Sequence, residues 1–267
     1  MMSEHVIGCT TRPHGKLSFE EACRRIAASG FSDVALFGNE GTMLVRGDST
    51  DEEIAGRKAQ AEAARLRPSM AMGVAGLWEG LETSTRNYTR IVECAGKLGA
   101  DWIMDCGTGK EEHFEDYYTL MREMAPLAQE AGVKIVLKAH GGISMNGADM
   151  LRVRDRVDHP SFGLCYDPGN TFYYTKGELK PEDDVKTVAG DIDVVIIKDF
   201  LMVDGKPEVA VTAGDGRVDF ASVLGALMSA GFDGPMYVEC VGSTEPDAID
   251  RDIAFTLGYV RGILAGG

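Results

Sequence analysis

Glu130-Ala131-Gly132-Val133-Lys134-Ile135-Val136-Leu137-Lys138-Ala139-His140-Gly141-Gly142 is the stretch that decides the fold. A long amphipathic run, Glu112–Ala131, stops at Gly132, and a short apolar run, Val133–Ala139, begins at once. Glycine at a helix end followed directly by β-branched residues reads as a helix feeding a buried strand. The same cadence recurs in Ala28-Ser29-Gly30-Phe31 and in Ser229-Ala230-Gly231-Phe232.

Working outward, the chain offers eight strand candidates: His5–Thr10, Asp33–Phe37, Ser69–Val74, Asp101–Cys106, Val133–Ala139, Phe162–Asp167, Val194–Lys198 and Met236–Cys240. They are short and apolar, as strands buried on both faces are. Amphipathic segments alternate with them. Ser18–Ser29 carries Ser18 and Glu21 at capping-box spacing. Thr50–Arg65 has Asp51, Glu52 and Glu53 in its first turn and Arg65 in its last, which suits the helix dipole. Thr83–Leu98, Glu112–Ala131, Phe220–Ala230 and Asp247–Leu264 follow. Eight βα units without a composition break predict a single (β/α)8 TIM barrel, an α/β fold, over residues 1–267. A doubly wound open sheet is the alternative, but Thr10-Thr11-Arg12-Pro13-His14-Gly15 is not the Gly-x-Gly-x-x-Gly turn of a dinucleotide fold.

Charge narrows the partners. Lys plus Arg is 27 and Asp plus Glu is 42, a formal net charge of −15. That field opposes nucleic acid and anionic membranes and leaves a small-molecule substrate as the expected partner. Cys9, Cys23, Cys94, Cys106, Cys165 and Cys240 form no C-x-x-C pair and sit in apolar runs, as buried thiols of a reducing compartment do. Met1 to His5 leads straight into the first strand, and no apolar run approaches the roughly 18 residues of a membrane span. A cytoplasmic protein is expected, with a homodimer as the default assembly.

In a barrel of this kind function sits at the C-terminal ends of the strands. The polar residues there are His14, Asn39, Glu40, Glu79, Asp105, Lys138, His140, Asp167, Asn170, Lys198, Asp199 and Glu239. Alternation along the fifth strand turns Lys138 and His140 the same way. They read as proton-transferring groups, or as a lysine paired with a core carboxylate and a strand-capping histidine. Asp167 stands before Pro168-Gly169, as a ligand or anchor or simply as a turn former. Lys198 follows four apolar residues and is either a site residue or a snorkelling lysine. Glu239 in an apolar strand is costly unless paired. Together, carboxylates, lysine and histidine around one mouth can move a proton beside a sugar carbonyl. The stretch Ala213-Gly214-Asp215-Gly216-Arg217 is either a tight turn or a place where a phosphate lies on Arg217 and a helix start. Gly107-Thr108-Gly109-Lys110 lacks the spacing of a phosphate-binding P-loop.

At these residues the sequence resembles the xylose isomerase-like TIM barrels, in particular the sugar phosphate isomerase/epimerase family. The likeness runs through Val133-Lys134-Ile135, His140-Gly141-Gly142, Gly163 to Asn170, Ile197-Lys198-Asp199, Gly214 to Phe220, and Gly231 to Pro235 leading to Val238-Glu239. It implies a divalent metal held by Glu, Asp, His and Glu from the fifth to eighth strands, with the two Glu residues moving protons through an enediolate. Carried over by position, the Asp is Asp167 and the last Glu is Glu239, while Lys138 stands at the first Glu position and Ile196 at the His position. At the end of the second strand, where many members carry Glu, this chain has Ala35.

A lysine where a carboxylate holds a cation suggests that the Lys138 ammonium replaces the metal, neutralising Asp167 and Glu239 and polarising a carbonyl. A Schiff base on Lys138 is a further chemical option. The expected catalytic set is Lys138 as electrophile, Glu239 as base and His140 as second acid/base, with Asp167, Asn170, Lys198 and Arg217 binding substrate. No cofactor is expected; the alternative is a divalent metal (Mn, Mg, Co or Zn) on His140, Asp167 and Glu239. The expected activity is that of an isomerase or epimerase on a keto-sugar, sugar acid or cyclitol. A β-eliminating lyase on an oxidised sugar and a non-catalytic sugar-binding barrel are alternatives, and the net charge speaks against a metal-dependent nuclease.

Overall fold

The computed structural model describes residues 5–266. Met1 to Glu4, read above as a direct lead into the first strand, lie outside the described residues. Eight parallel strands close a barrel: β1 Ile7–Thr10, β2 Asp33–Leu36, β3 Arg67–Met72, β4 Trp102–Asp105, β5 Lys134–Lys138, β6 Phe162–Tyr166, β7 Ile192–Ile197 and β8 Met236–Val238. Each pairs with its sequence neighbours, and β8 closes on β1 through Ile7–Met236 and Cys9–Val238. The third strand starts and stops two residues earlier than the pattern suggests, because Arg67 already pairs with Asp33.

The main outer helices are α1 Phe19–Ala28, α2 Asp51–Ala63, α3 Leu81–Leu98, α4 Phe114–Glu130, α5 Gly147–Val157, α6 Pro168–Tyr174, α7 Phe220–Ser229 and α8 Pro246–Gly266. The full capping box falls on α2, where Thr50 and Glu53 bond reciprocally. At α1 only half of it forms: Ser18 Oγ accepts from the Glu21 N–H, while the Glu21 carboxylate turns to Arg24 and Arg25. Helix α2 stops before Arg65, which takes a left-handed φ of 62°. Pro168-Gly169 is the start of α6 rather than a turn: proline fits the first helical position, where its missing N–H costs nothing. Two short hairpins, Gly38–Asn39 with Thr42–Met43 and Leu201–Val203 with Lys206–Glu208, decorate the mouth.

The barrel interior is apolar up to its last layer. Ala35, Met70, Met104, Val136, Cys165, Val194, Ile196 and Tyr237 fill it. The Tyr237 hydroxyl is satisfied by Ser69 Oγ at 2.8 Å. Period-2 alternation then carries the next inward position of β5, β7 and β8 to Lys138, Lys198 and Glu239. No helix of the described residues is long and apolar enough to cross a membrane.

Candidate active site

Four charged side chains with almost no solvent contact meet above this apolar floor: Lys138, Asp167, Lys198 and Glu239. Lys138 Nζ donates to Glu239 Oε2 at 2.8 Å and lies 3.6 Å from Asp167 Oδ2. Lys198 Nζ bridges both carboxylates, at 2.9 Å from Asp167 Oδ2 and 2.7 Å from Glu239 Oε1. Arg12, from the turn after β1, adds Nη1 to Glu239 Oε1 at 3.0 Å. The Phe37 ring, just beyond β2, lies 5.9 Å from Lys138 Nζ, within cation–π range.

Local structure fixes these groups. Asp167 has two tasks: Oδ1 caps α6 by accepting from the Asn170 N–H at 2.9 Å, and Oδ2 holds Lys198. Asn170 locks the same lysine, with Oδ1 accepting from Nζ at 3.1 Å and Nδ2 donating to Ala139 O at 2.8 Å. Gly169 is required where the lysine stem passes, since a Cβ there would sit 2.7 Å from Lys198 Cγ and from Lys198 O.

Glu239 and Lys138 hold one another ionised. Burial alone would raise the Glu239 carboxyl, but Lys138, Lys198 and Arg12 outweigh it and keep it below the usual carboxylate range. Burial opposes the Lys138 ammonium, and Glu239 foremost overcomes it, holding the lysine above its ordinary value. A lysine kept protonated is no nucleophile, so the geometry does not support the Schiff-base option.

Two cavities open at this end of the barrel, of which one is lined by members of the cluster. One, of about 510 Å³, is lined by Arg12, His14, Glu239 and Cys240. The other, of about 430 Å³, is lined by Asp105, Cys106, His140 and Tyr174, with the exposed Trp78 at its rim. The Tyr174 hydroxyl lies 3.0 and 3.1 Å from the two His140 ring nitrogens, so either tautomer finds it. Burial, then Lys138 and Lys198, push His140 down to about 4, leaving a free imidazole at neutral pH. Asp105 accepts from the Gly107 N–H at 2.7 Å and from the Tyr117 hydroxyl at 2.9 Å; with no cation beside it, burial raises it to about 6.

The structure thus brings Lys138, Asp167, Asn170, Lys198 and Glu239 together, with His140 beside them. It does not bring Arg217, which is exposed and lines neither cavity. The Gly-rich stretch is closed by Asp199: its carboxylate accepts the N–H groups of Gly214, Gly216, Val218 and Phe200 at 2.8–3.0 Å. A Cβ on Gly216 would collide with that carboxylate. Arg12 and Tyr174 join the site although no pattern in the sequence points to them, while Asp105 is legible there only as one of the polar strand ends.

Fold and site define a TIM barrel with a charged mouth. The chain belongs to the family of xylose isomerase-like TIM barrels, whose model matches residues 23–258. Among solved structures it is similar to a xylose isomerase domain protein from Planctomyces limnophilus, at 21% identity and a TM-score of 0.74 over 98% of each chain. It is also similar to a xylose isomerase-like TIM barrel protein from Mycobacterium smegmatis in complex with magnesium, at 15% identity and a TM-score of 0.78 over 97% of this chain and 98% of that one. D-psicose 3-epimerase from Clostridium cellulolyticum H10, solved with D-tagatose, aligns at 14% identity and a TM-score of 0.76 over 97% of this chain and 99% of that one. No curated protein matches the chain.

A divalent metal does not fit the residues present. The carboxylate oxygens that would ligate it are directed at two ammonium groups and a guanidinium, and Lys198 lies between Asp167 and Glu239. A cation placed there would meet two positive charges. The three-ligand alternative on His140, Asp167 and Glu239 is not assembled: His140 turns to Tyr174, and among the described residues no three His, Cys, Asp or Glu side chains are grouped for a metal.

Proposed function

We propose that this protein is a sugar isomerase or epimerase that removes a proton beside the carbonyl of a keto-sugar, sugar acid or cyclitol, using fixed cations in place of a metal. The observation that carries the reading is the buried Lys138–Glu239–Lys198–Asp167 cluster at the strand ends, where barrels of this class do their chemistry. Sugar epimerases among the structural neighbours support the same reaction class.

The chemistry follows from the charges. As the C–H bond breaks, its electron pair moves toward the carbonyl oxygen and makes an enediolate. Lys138, with one of its three N–H groups on Glu239, and Lys198 and Arg12 beside it, supply a positive field that does not need to reorganise. The proton goes to His140, the free imidazole next to the cluster, which returns it to the neighbouring carbon in isomerisation; in epimerisation His140 gives its proton to solvent and solvent water protonates the other face. Glu239, saturated by three cationic donors, is better suited to positioning Lys138, Lys198 and Arg12 than to the role of base expected from sequence.

Exchange in D2O tests this. Wild-type protein should place solvent deuterium on carbon in members of a ketose and keto-acid panel, and Lys138→Met should lower the rate by about 10²- to 10³-fold. The rate should fall as pH drops through about 4, the value at which His140 takes a proton, rather than near the ordinary 6.5. Binding without exchange across the panel would make the protein a non-catalytic sugar-binding barrel instead.

A further inference from the structure

The cluster is not neutral. Arg12, Lys138 and Lys198 contribute three positive charges, Asp167 and Glu239 two negative ones. The neighbouring carboxylates are engaged elsewhere and pair with none of these cations. Asp199 spends both oxygens on four backbone N–H groups, and Asp105 turns to Tyr117 and Gly107. His140 is uncharged. Within the hydrogen-bonded cluster itself, one positive charge is therefore left without a paired carboxylate, in a chain that carries −15 overall.

That surplus is accessible only at Arg12. The two lysines are shut off from solvent, whereas the Arg12 side chain is 52% exposed and lines the 510 Å³ cavity beside Glu239. The guanidinium spends Nη1 on Glu239, and its remaining N–H groups have no protein acceptor among the described residues. A planar fork with an open edge, backed by two buried ammonium groups, is built for a carboxylate, which it grips through two parallel hydrogen bonds. A phosphate dianion would carry twice a carboxylate's charge past a rim on which Glu208 and Glu245 outnumber Lys16, and so meets about twice the repulsion there.

We infer that the substrate is a carboxylate-bearing sugar, a keto-acid of the sugar series rather than a neutral ketose, and that Arg12 docks its carboxylate. The inference rests on the proposed function and sharpens its substrate class.

Isothermal titration calorimetry on matched pairs tests it, using 2-keto-D-gluconate against D-fructose and 2-keto-L-gulonate against L-sorbose, with D-fructose 6-phosphate as the phosphate arm. At least one acid should bind about 10- to 100-fold more tightly than its neutral partner, as expected for hydrogen bonds to a charged group. Arg12→Gln should bring that ratio close to one, and Arg12→Lys should restore part of it by returning charge without the fork. Equal binding of acid and neutral sugar, tighter binding of the phosphate, a ratio unchanged in Arg12→Gln, or no binding by any acid would each overturn the inference. Deuterium exchange on the same samples separates it from the reading it rests on. An acid preference lost in Arg12→Gln without exchange upholds the carboxylate site and overturns the isomerase. Exchange into neutral ketoses without an acid preference does the reverse.

Discussion

Glu239 and Asp105 stand at the ends of two barrel strands, β8 and β4, and neither touches solvent. Burial acts on both in the same direction, yet they finish on opposite sides of the ordinary carboxylate range. Glu239 accepts from Lys138, Lys198 and Arg12 and is held low. Asp105 accepts from a backbone N–H and a tyrosine hydroxyl, with Tyr88 also near, and rises to about 6. Neutral donors stabilise a carboxylate but do not replace its lost hydration, whereas three full charges do. One mouth thereby holds a fixed ion pair network on the β5–β8 side and a titrating acid beside a free imidazole on the β4 side.

The sharpest way to break this comparison is Glu239→Gln. It removes the anion from between three cations and leaves two buried ammonium groups with Asp167 alone. The expected loss is about 3–5 kcal/mol of unfolding free energy, read by urea denaturation at pH 7. A loss below 1 kcal/mol would mean that the cluster is not ionised as described.

Asp105→Asn sharpens the other side. The folded Asp105 holds its proton to about 6, while the unfolded one releases it near 3.8. Between those values the folded state binds more protons, so the wild-type protein loses stability from this group as pH rises, and above about 6 the penalty is complete. A shift of this size corresponds to about 3 kcal/mol. The Asn variant lacks the slope, so its stability should gain on the wild type by that amount between pH 4 and 7. His140, lowered toward 4, gives a slope of opposite sign in both proteins and drops out of the difference. Parallel pH curves would refute the assignment.

The smallest effect is expected from Arg217→Gln, outside both cavities. Stability should change by less than about 0.5 kcal/mol and sugar binding not at all; a clear loss of binding would move the site toward the β7 loop.

What could be read from the sequence follows from how far local periodicity reaches. The eight strands, and the alternation that turns Lys138, Lys198 and Glu239 inward, are consequences of a two-residue repeat and need no knowledge of distant contacts. Arg12 arrives on a loop and meets Glu239 across 227 positions of sequence, for which no local pattern exists. Tyr174 stayed hidden because Pro168-Gly169 has the composition of a turn and the geometry of a helix start. Arg217 stands out in the sequence through its glycine neighbours, whose N–H groups Asp199 already engages.

Asp199 can also be viewed as a tethered ligand. The β7 loop forms a receptor for an anion, and the chain supplies the occupant itself, one residue after Lys198. A short tether keeps such an occupant at an effective concentration of millimolar or more. Any free anion offered to those four N–H groups would compete with a resident that cannot diffuse away, so the donors are committed to holding the loop.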